Sequence, residues 1–130
     1  MTWLIFDLDG TLCRDGRARP FPGVPTLVET LHTTGHLLFL CTLNPNGLRV
    51  IEACKLWQYF RDGRVTDYGQ KSAAIYEMAA NWGLKLEEAL FVDDDPVNVD
   101  SCSAAGIRSI LVSSVKGVTI EDLRVAGLKV

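Results

Sequence analysis

Short apolar runs alternate along this chain with longer stretches in which apolar residues recur at helical spacing. The short runs predict five strands, near residues 2–7, 36–42, 63–66, 89–93 and 107–112. The longer stretches predict helices over residues 24–35, 44–57, 70–83 and 95–106. Strands that alternate with helices are typical of βαβ units. We therefore expect an α/β fold built on a single three-layer, doubly wound parallel sheet.

The last stretch of the chain, residues 119–130, has a weaker helical pattern. It begins with Thr119 and Asp122, which are spaced as in a capping box. We expect a short closing helix here, and a dimer contact is the alternative.

Length and composition indicate one domain over residues 1–130, because 48% of the residues are apolar and 22% are charged. The 13 basic and 16 acidic residues leave a net charge of −3, which argues against a dedicated nucleic-acid surface. The four cysteines form no C-x-x-C pair, so we expect reduced intracellular thiols. No basic region precedes the first apolar run, and no run reaches the roughly 18 apolar residues of a membrane span. We expect a cytoplasmic protein that does not associate with membranes.

Polar residues stand where the predicted strands end. The first strand ends at Asp7, with Asp9 two residues later, and the second ends at Thr42. Lys71 begins the third helix, and the fourth strand ends in three acids, Asp93, Asp94 and Asp95. Because the carboxyl ends of parallel strands share one edge of the sheet, we expect these side chains to converge there. Asp95 precedes a proline, and for this residue a helix cap is the favoured interpretation.

This set of residues suits a phosphate monoester and Mg2+. Buried carboxylates are costly unless they are paired or bind a metal, and Asp7 and Asp94 could hold Mg2+ with water and phosphate. Asp7 could attack phosphorus, and Asp9 lies on the same side as a general acid and base. The Thr42 hydroxyl and the Lys71 ammonium could hold the phosphoryl oxygens. Taken alone, Thr42 could instead be a capping hydroxyl and Lys71 a solvated helix residue.

Four segments, "FDLDGTL", "LLFLCT", "YGQKSAAI" and "FVDDDPVNV", resemble the four motifs of the haloacid dehalogenase superfamily of phosphohydrolases, in the same order over residues 1–112. The resemblance implies Asp7 as nucleophile and metal ligand, and Asp9 as acid and base with its carbonyl on Mg2+. It also implies Thr42 and Lys71 on phosphate, and Asp94 on the metal.

The fourth segment fits this pattern loosely. In members written "GDxxxD" the second acid falls on Asn98, so Asp93 or a water would complete the metal shell. Three residues beside the motif residues are also predicted to bind substrate, and these are Gly10, Leu43 and Asn44.

The spacing of the motifs leaves no room for a cap domain. The 32 residues between Asp9 and Thr42 and the 21 between Lys71 and Asp93 are already used by predicted elements. The chain is most similar to the capless magnesium-dependent phosphatase branch, some of whose members act on protein phosphotyrosine or sugar-phosphate adducts. We expect a phosphatase with an open site for a large phosphorylated partner such as a phosphoprotein, and a monomer or weak homodimer.

Several alternatives stay open. The substrate could be a small metabolite, a nucleotide or a nucleic-acid end, with an oligomer as the lid, or the chain could be a catalytically weak phosphate-binding module.

Two other classes of protein fit the sequence less well. A signalling receiver domain would have its acidic pair first and its phosphorylated aspartate later, and the order here is the reverse. A dehalogenase of the same superfamily would need neither Asp9 nor Mg2+, so the presence of Asp9 two residues after Asp7 argues against that activity.

The segment "CRDGRARPFP", residues 13–22, follows the first motif and is rich in arginine. We expect it to overhang the site, where Arg17 and Arg19 would bind the substrate beyond its reactive phosphate. The alternative is a solvated loop. The histidines, His32 and His36, are expected to lie away from this edge.

Overall fold

The structure is a computed structural model that describes residues 2–14 and 17–130. Within these residues five strands alternate with five α-helices. The strands are β1 (Trp3–Phe6), β2 (Leu37–Thr42), β3 (Asp62–Val65), β4 (Ala89–Asp93) and β5 (Ser109–Leu111). The helices are α1 (Val24–Thr33), α2 (Gly47–Ala53), α3 (Lys71–Trp82), α4 (Pro96–Ala104) and α5 (Ile120–Val125). Short 3-10 helices, Trp57–Tyr59 and Leu86–Glu88, precede β3 and β4.

The strands form one sheet in the order β3-β2-β1-β4-β5, and each neighbouring pair is parallel. β1 pairs with β2 on one side and with β4 on the other, so the strand order reverses at β1. Ligands bind in such sheets at the carboxyl ends of the strands, beside the reversal. The predicted doubly wound sheet is confirmed, and its reversal brings Asp7, after β1, next to Asp93, at the end of β4.

Alternating side chains of β1 build a core on each face of the sheet. Leu4 and Phe6 are buried in a cluster that includes side chains of α1, α2 and α5. Trp3 and Ile5 are buried in a second cluster, with side chains of α3 and α4. Each fully buried side chain of this size stabilises the fold by about 1.5–3 kcal/mol relative to exposure. The described residues thus form three layers, and none of them forms a separate cap.

The predicted bounds of the second helix, 44–57, are wrong at both ends, because α2 spans only Gly47–Ala53. At the start, the side chain of Asn44 accepts a hydrogen bond from the backbone of Asn46, and its carbonyl accepts one from Gly47. This local bonding holds the chain in a turn. At the end, Lys55 adopts a φ of 62°, a left-handed conformation that stops the helix.

The predicted helix caps are confirmed. Thr119 Oγ1 accepts from the backbone N–H of Asp122, and Asp122 Oδ2 accepts from that of Thr119, which completes the capping box. Asp95 Oδ1 accepts from the backbone N–H of Val97 at the start of α4. α5 is shorter than residues 119–130, and the strands differ from the predicted bounds by at most two residues. In the described part of the chain, none of the helices has the length and hydropathy needed to cross a bilayer.

Candidate active site

A cavity of about 190 Å³ opens at the carboxyl edge of the sheet. Most of the predicted site residues line it: Asp7, Asp9, Thr42, Leu43, Asn44, Lys71, Asp93 and Asp94, together with Asp95 and Asn98. A larger cavity, of about 400 Å³, lies around His32 and His36, before β2 begins. None of the residues lining that cavity carries a carboxylate, whereas the smaller cavity has five aspartates in its lining.

Lys71 is the central cation of the site. Its Nζ lies 2.8 Å from Oδ1 of Asp7 and 2.8 Å from Oδ2 of Asp93, and its side chain is only 2% exposed. Burial alone would lower the pKa of Lys71, but the two carboxylates outweigh burial and hold the pKa above its usual range. The ammonium is therefore a fixed positive charge at neutral pH.

Asp7 is buried beside other carboxylates. Burial raises the pKa of Asp7 well above its ordinary value, Lys71 offsets part of this effect, and Asp93 and Asp94 add to it. Burial also raises the pKa of Asp94. The hydroxyl of Thr11 bridges the two residues, because its Oγ1 lies 3.3 Å from Oδ2 of Asp7 and 3.2 Å from Oδ1 of Asp94.

These carboxylates fit a divalent metal ion. Carboxylate oxygens of Asp7, Asp93 and Asp94 lie within 4.8 Å of one another, with Lys71 as the buried cation between two of them. Burial is the largest cause of the raised pKa values of Asp7 and Asp94, and repulsion from the charge of Asp93 raises both further. A hard cation with oxygen ligands, such as Mg2+, would relieve this repulsion.

Asp93 accepts three hydrogen bonds from protein donors, whereas Asp7 accepts two and Asp94 accepts one from Thr11. Oδ2 accepts from Lys71 and from Nδ2 of Asn98, at 2.8 and 3.0 Å. Oδ1 accepts from the backbone N–H of Asp95 at 3.0 Å. Asp93 is therefore placed to position Lys71 and Asn98, and Asp7 and Asp94 have more capacity left for a metal.

Asp9 lines the cavity, and one of its carboxylate oxygens accepts a hydrogen bond while the other has no partner among the described residues. Its Oδ2 accepts from Nδ2 of Asn44 at 3.1 Å. Its Oδ1 is buried and has no hydrogen-bond partner among the described residues. A buried carboxylate oxygen without a partner is costly, and here it is suited to exchange a proton with a bound molecule.

Thr42 is buried at the end of β2, and its hydroxyl hydrogen is available to be donated to a bound molecule. Its Oγ1 accepts from the backbone N–H of Asn44 at 3.0 Å, which leaves the hydroxyl hydrogen to be donated. Gly47, the first residue of α2, packs against Thr42, because a Cβ on Gly47 would lie 2.4 Å from Cγ2 of Thr42. Glycine at this position lets α2 begin close to the site.

Three predicted substrate-binding residues lie outside the cavity lining. Gly10 has a φ of +83°, and a Cβ there would lie 2.3 Å from Oδ2 of Asp94, so this glycine makes room for Asp94. Arg17 and Arg19 are exposed on the segment after the first motif. Their contact with substrate stays a prediction, and their acidic neighbour Asp15 lies outside the described residues.

The sequence pattern predicts no role for Thr11. It indicates Asn98 only as the position at which some family members carry the second acid. Thr11 lies four residues after Asp7, inside the quoted first motif, so its position was a usable signal. The role of Asn98 depends on its contact with Asp93, five residues earlier, which becomes visible only when α4 folds back on β4.

Comparison with known proteins identifies the family of the chain. The family model of haloacid dehalogenase-like hydrolases matches residues 13–112, a region that begins after Asp7 and Asp9. A phosphoglycolate phosphatase from Mesorhizobium japonicum is 32% identical over 103 residues, covering 75% of this chain and 45% of that protein. The chain thus spans a little under half the length of this curated relative.

Solved structures share the fold. The core domain of a protein assigned as a phosphoglycolate phosphatase, from Streptococcus pneumoniae TIGR4, has a TM-score of 0.74 at 20% identity, covering 98% of this chain and 96% of that chain. A HAD-superfamily hydrolase of subfamily IA, variant 1, from Geobacter sulfurreducens PCA has a TM-score of 0.73 at 19% identity, covering 85% and 89%. Because the family model matches well over half of the residues, the chain belongs to the haloacid dehalogenase-like hydrolase family.

Proposed function

We propose that this protein is a Mg2+-dependent phosphomonoester hydrolase that works through a phosphorylated Asp7. The observation that carries the proposal is the placement of Lys71, a buried ammonium 2.8 Å from Asp7 and from Asp93 at the carboxyl edge of the sheet. A nucleophilic carboxylate, a fixed cation and a second acid, Asp9, line one phosphate-sized cavity. This combination suits phosphoryl transfer.

In the first step, the carboxylate of Asp7 attacks phosphorus, and the bond from phosphorus to the ester oxygen breaks. Asp9, whose Oδ1 has no protein partner, gives its proton to the departing alcohol oxygen. Lys71 and the hydroxyl of Thr42 hold the other phosphoryl oxygens and offset their growing charge. The product is an aspartyl phosphate on Asp7.

In the second step, water attacks the phosphorus of the aspartyl phosphate. Asp9, now ionised, takes a proton from that water, and inorganic phosphate leaves with Asp7 restored as a carboxylate. Asn44 keeps Asp9 in place through both steps, because it donates to Oδ2 at 3.1 Å.

Asp7 and Asp94 would hold Mg2+, with the backbone carbonyl of Asp9 as a further oxygen ligand. The bridging hydroxyl of Thr11 keeps these two carboxylates side by side. When bound, Mg2+ supplies positive charge beside the phosphoryl group and fixes its orientation. Asp93 is left to position Lys71 and Asn98.

The size of the cavity is compatible with a large substrate of which only the phosphoryl group enters the cavity. About 190 Å³ holds a phosphoryl group and its immediate surroundings, whereas drug-sized ligands usually fill roughly 300–1,000 Å³. The rest of the substrate would therefore lie on the open surface, as a phosphoprotein could, with the protein acting as a monomer or weak homodimer.

A small phosphorylated metabolite is the second candidate. It is favoured by the relative from Mesorhizobium japonicum, a phosphoglycolate phosphatase that is 32% identical over 103 residues. In this case a second copy of the chain would serve as the lid that these described residues do not contain.

Phosphate release with and without Mg2+ tests the proposal. The substrates are para-nitrophenyl phosphate, a phosphotyrosine peptide and phosphoglycolate, and Asp7→Asn is the matched control. We expect Mg2+-dependent release, with a higher kcat/KM for the peptide than for phosphoglycolate. The opposite ranking would favour the metabolite, and release no faster than by Asp7→Asn would refute the proposed activity.

A further inference from the structure

Two cysteines that are far apart in the sequence, one of them directly after the first motif, are in contact in the structure. The Sγ atoms of Cys13 and Cys54 lie 3.2 Å apart, although 41 positions separate them in the sequence. Cys13 is fully buried and Cys54 is half-buried, so Cys54 is the more exposed residue of the pair. The role proposed above for the active site uses neither of them.

Cys13 closes a turn, and Cys54 ends a helix. The carbonyl of Cys13 accepts from the backbone N–H of Gly10 at 2.8 Å, and its own N–H donates to the carbonyl of Leu8, so Cys13 closes the turn that carries Asp9. Cys54 caps the carboxyl end of α2, the helix that begins next to Thr42. A covalent bond between the two sulfurs would tie this turn to α2.

We propose that Cys13 and Cys54 are a thiol modification site that forms a reversible intramolecular disulfide when the protein meets a small-molecule disulfide such as glutathione disulfide. A disulfide has a sulfur–sulfur distance of about 2.05 Å, so each sulfur needs to move by only about 0.6 Å from the observed contact. Intracellular disulfides of this kind are usually transient and redox-sensing.

The chemistry balances with that one oxidant. Cys54, the more exposed residue of the pair, loses its proton and attacks one sulfur of glutathione disulfide, which releases one glutathione and leaves a mixed disulfide. Cys13 then loses its proton and attacks Sγ of Cys54, which releases the second glutathione. Two protein thiols are oxidised, and one disulfide is reduced to two thiols.

The other two cysteines provide an internal control. Cys41 and Cys102 are buried in the second core cluster, on the opposite face of the sheet from Cys13. Neither is half-exposed as Cys54 is. We therefore expect them to stay reduced under conditions that oxidise the proposed pair.

Mass spectrometry locates the bond directly. Trypsin cleaves after Arg14, Arg49 and Lys55, so Cys13 and Cys54 fall in separate peptides, 1–14 and 50–55. After incubation of the folded protein with glutathione disulfide, we expect these two peptides to be joined without glutathione, and titratable thiols to fall from four to two. Dithiothreitol should restore all four.

Thermal unfolding gives a second readout that needs no substrate, so it is independent of the proposed activity. A new link across residues 13–54 restricts the unfolded chain, and we expect oxidation to raise the Tm by at least about 5 °C. Cys54→Ser should abolish both the joined peptide and the rise in Tm, whereas Cys102→Ala should retain both. A glutathione adduct that persists on Cys54, or four thiols that stay reduced, would overturn the proposal.

Discussion

Lys71 and Asp7 form a buried ion pair at the carboxyl edge of the sheet, with 2.8 Å between Nζ and Oδ1 and side chains 2% and 10% exposed. Asp93 lies at the same distance on the other side of the ammonium. One cation thus holds two carboxylates that would otherwise repel each other at short range. The proposed nucleophile and the proposed phosphate-binding cation are thus also an ion pair of the buried interior.

Lys71→Met should therefore destabilise the fold as well as remove activity. The variant leaves two buried carboxylates without their cation, and we expect the free energy of unfolding at pH 7 to fall by about 3 kcal/mol. Urea denaturation measures this change. The double variant Lys71→Met/Asp7→Asn should recover part of the loss, because it also removes one charge. Equal free energies of unfolding for the single and double variants would show that the charge of Asp7 does not destabilise the fold when Lys71 is absent.

A comparison of Asp94 with Asp95 tests the metal ligands. Asp94 shares the Thr11 hydroxyl with Asp7, whereas Asp95 caps α4 through the backbone of Val97. Asp94→Ala should raise the Mg2+ concentration needed for half-maximal activity at least about tenfold. Asp95→Ala should leave it unchanged and cost about 1 kcal/mol of stability through loss of the cap. Activity titrated with Mg2+ measures the first effect, and the reverse ranking would mean that Asp95 is the ligand.

Asn98→Asp tests whether Asn98 supports Asp93 or replaces a metal ligand. Nδ2 of Asn98 lies 3.0 Å from Oδ2 of the fully buried Asp93, so the variant places two carboxylates in contact. We expect a loss of about 3 kcal/mol at pH 7 without metal. The contact raises the pKa of the new carboxylate, so the loss should shrink as the pH falls toward about 4 and the group binds a proton.

Urea denaturation at both pH values, with and without Mg2+, measures these effects, and Asn98→Ala is the control that removes only the hydrogen bond. Full stability at pH 7 together with tighter Mg2+ binding would show instead that position 98 is a ligand position.

The strand ends were predictable because their signal is local. An apolar run that stops at Asp7, and another that stops at Asp93, mark buried strands whose ends must lie at one edge of a parallel sheet. The two caps, at Asp95 and Thr119, were predictable for the same reason, since each bonds within three residues of itself.

Features that depend on packing between distant segments were not predictable. The contact of Cys13 with Cys54 requires α2 to end beside the turn that carries Asp9, and the start of α2 was itself misplaced. The overlap of Gly10 with Asp94 likewise brings together two residues far apart in the sequence.

Arg17 and Arg19 are still expected to act on a large substrate. Both are exposed, and exposed charge pairs contribute only about 0.2–1 kcal/mol each. Replacement of both with Ala should raise KM for a phosphotyrosine peptide several-fold and weaken its dependence on salt, without changing turnover of para-nitrophenyl phosphate. Unchanged kinetics on both substrates would assign them to a solvated loop.

Asp9 is proposed to act as an acid in the first step and as a base in the second, and leaving groups of different basicity can separate these roles. Nitrophenolate leaves without a proton, whereas an alkyl alkoxide needs one. In Asp9→Asn, para-nitrophenyl phosphate should still phosphorylate Asp7, but hydrolysis of the aspartyl phosphate should slow by about 10²–10⁴-fold.

Rapid mixing should then show a burst of nitrophenol close to one per protein molecule, followed by slow turnover. An alkyl phosphate should give no burst with the same variant, because its first step is slow as well. Asn44→Ala, which removes the hydrogen bond to Oδ2 of Asp9 but leaves the carboxylate, should reduce kcat several-fold on both substrates without a burst. If Asp9→Asn turns over both substrates as fast as the wild type, Asp9 takes no part in proton transfer.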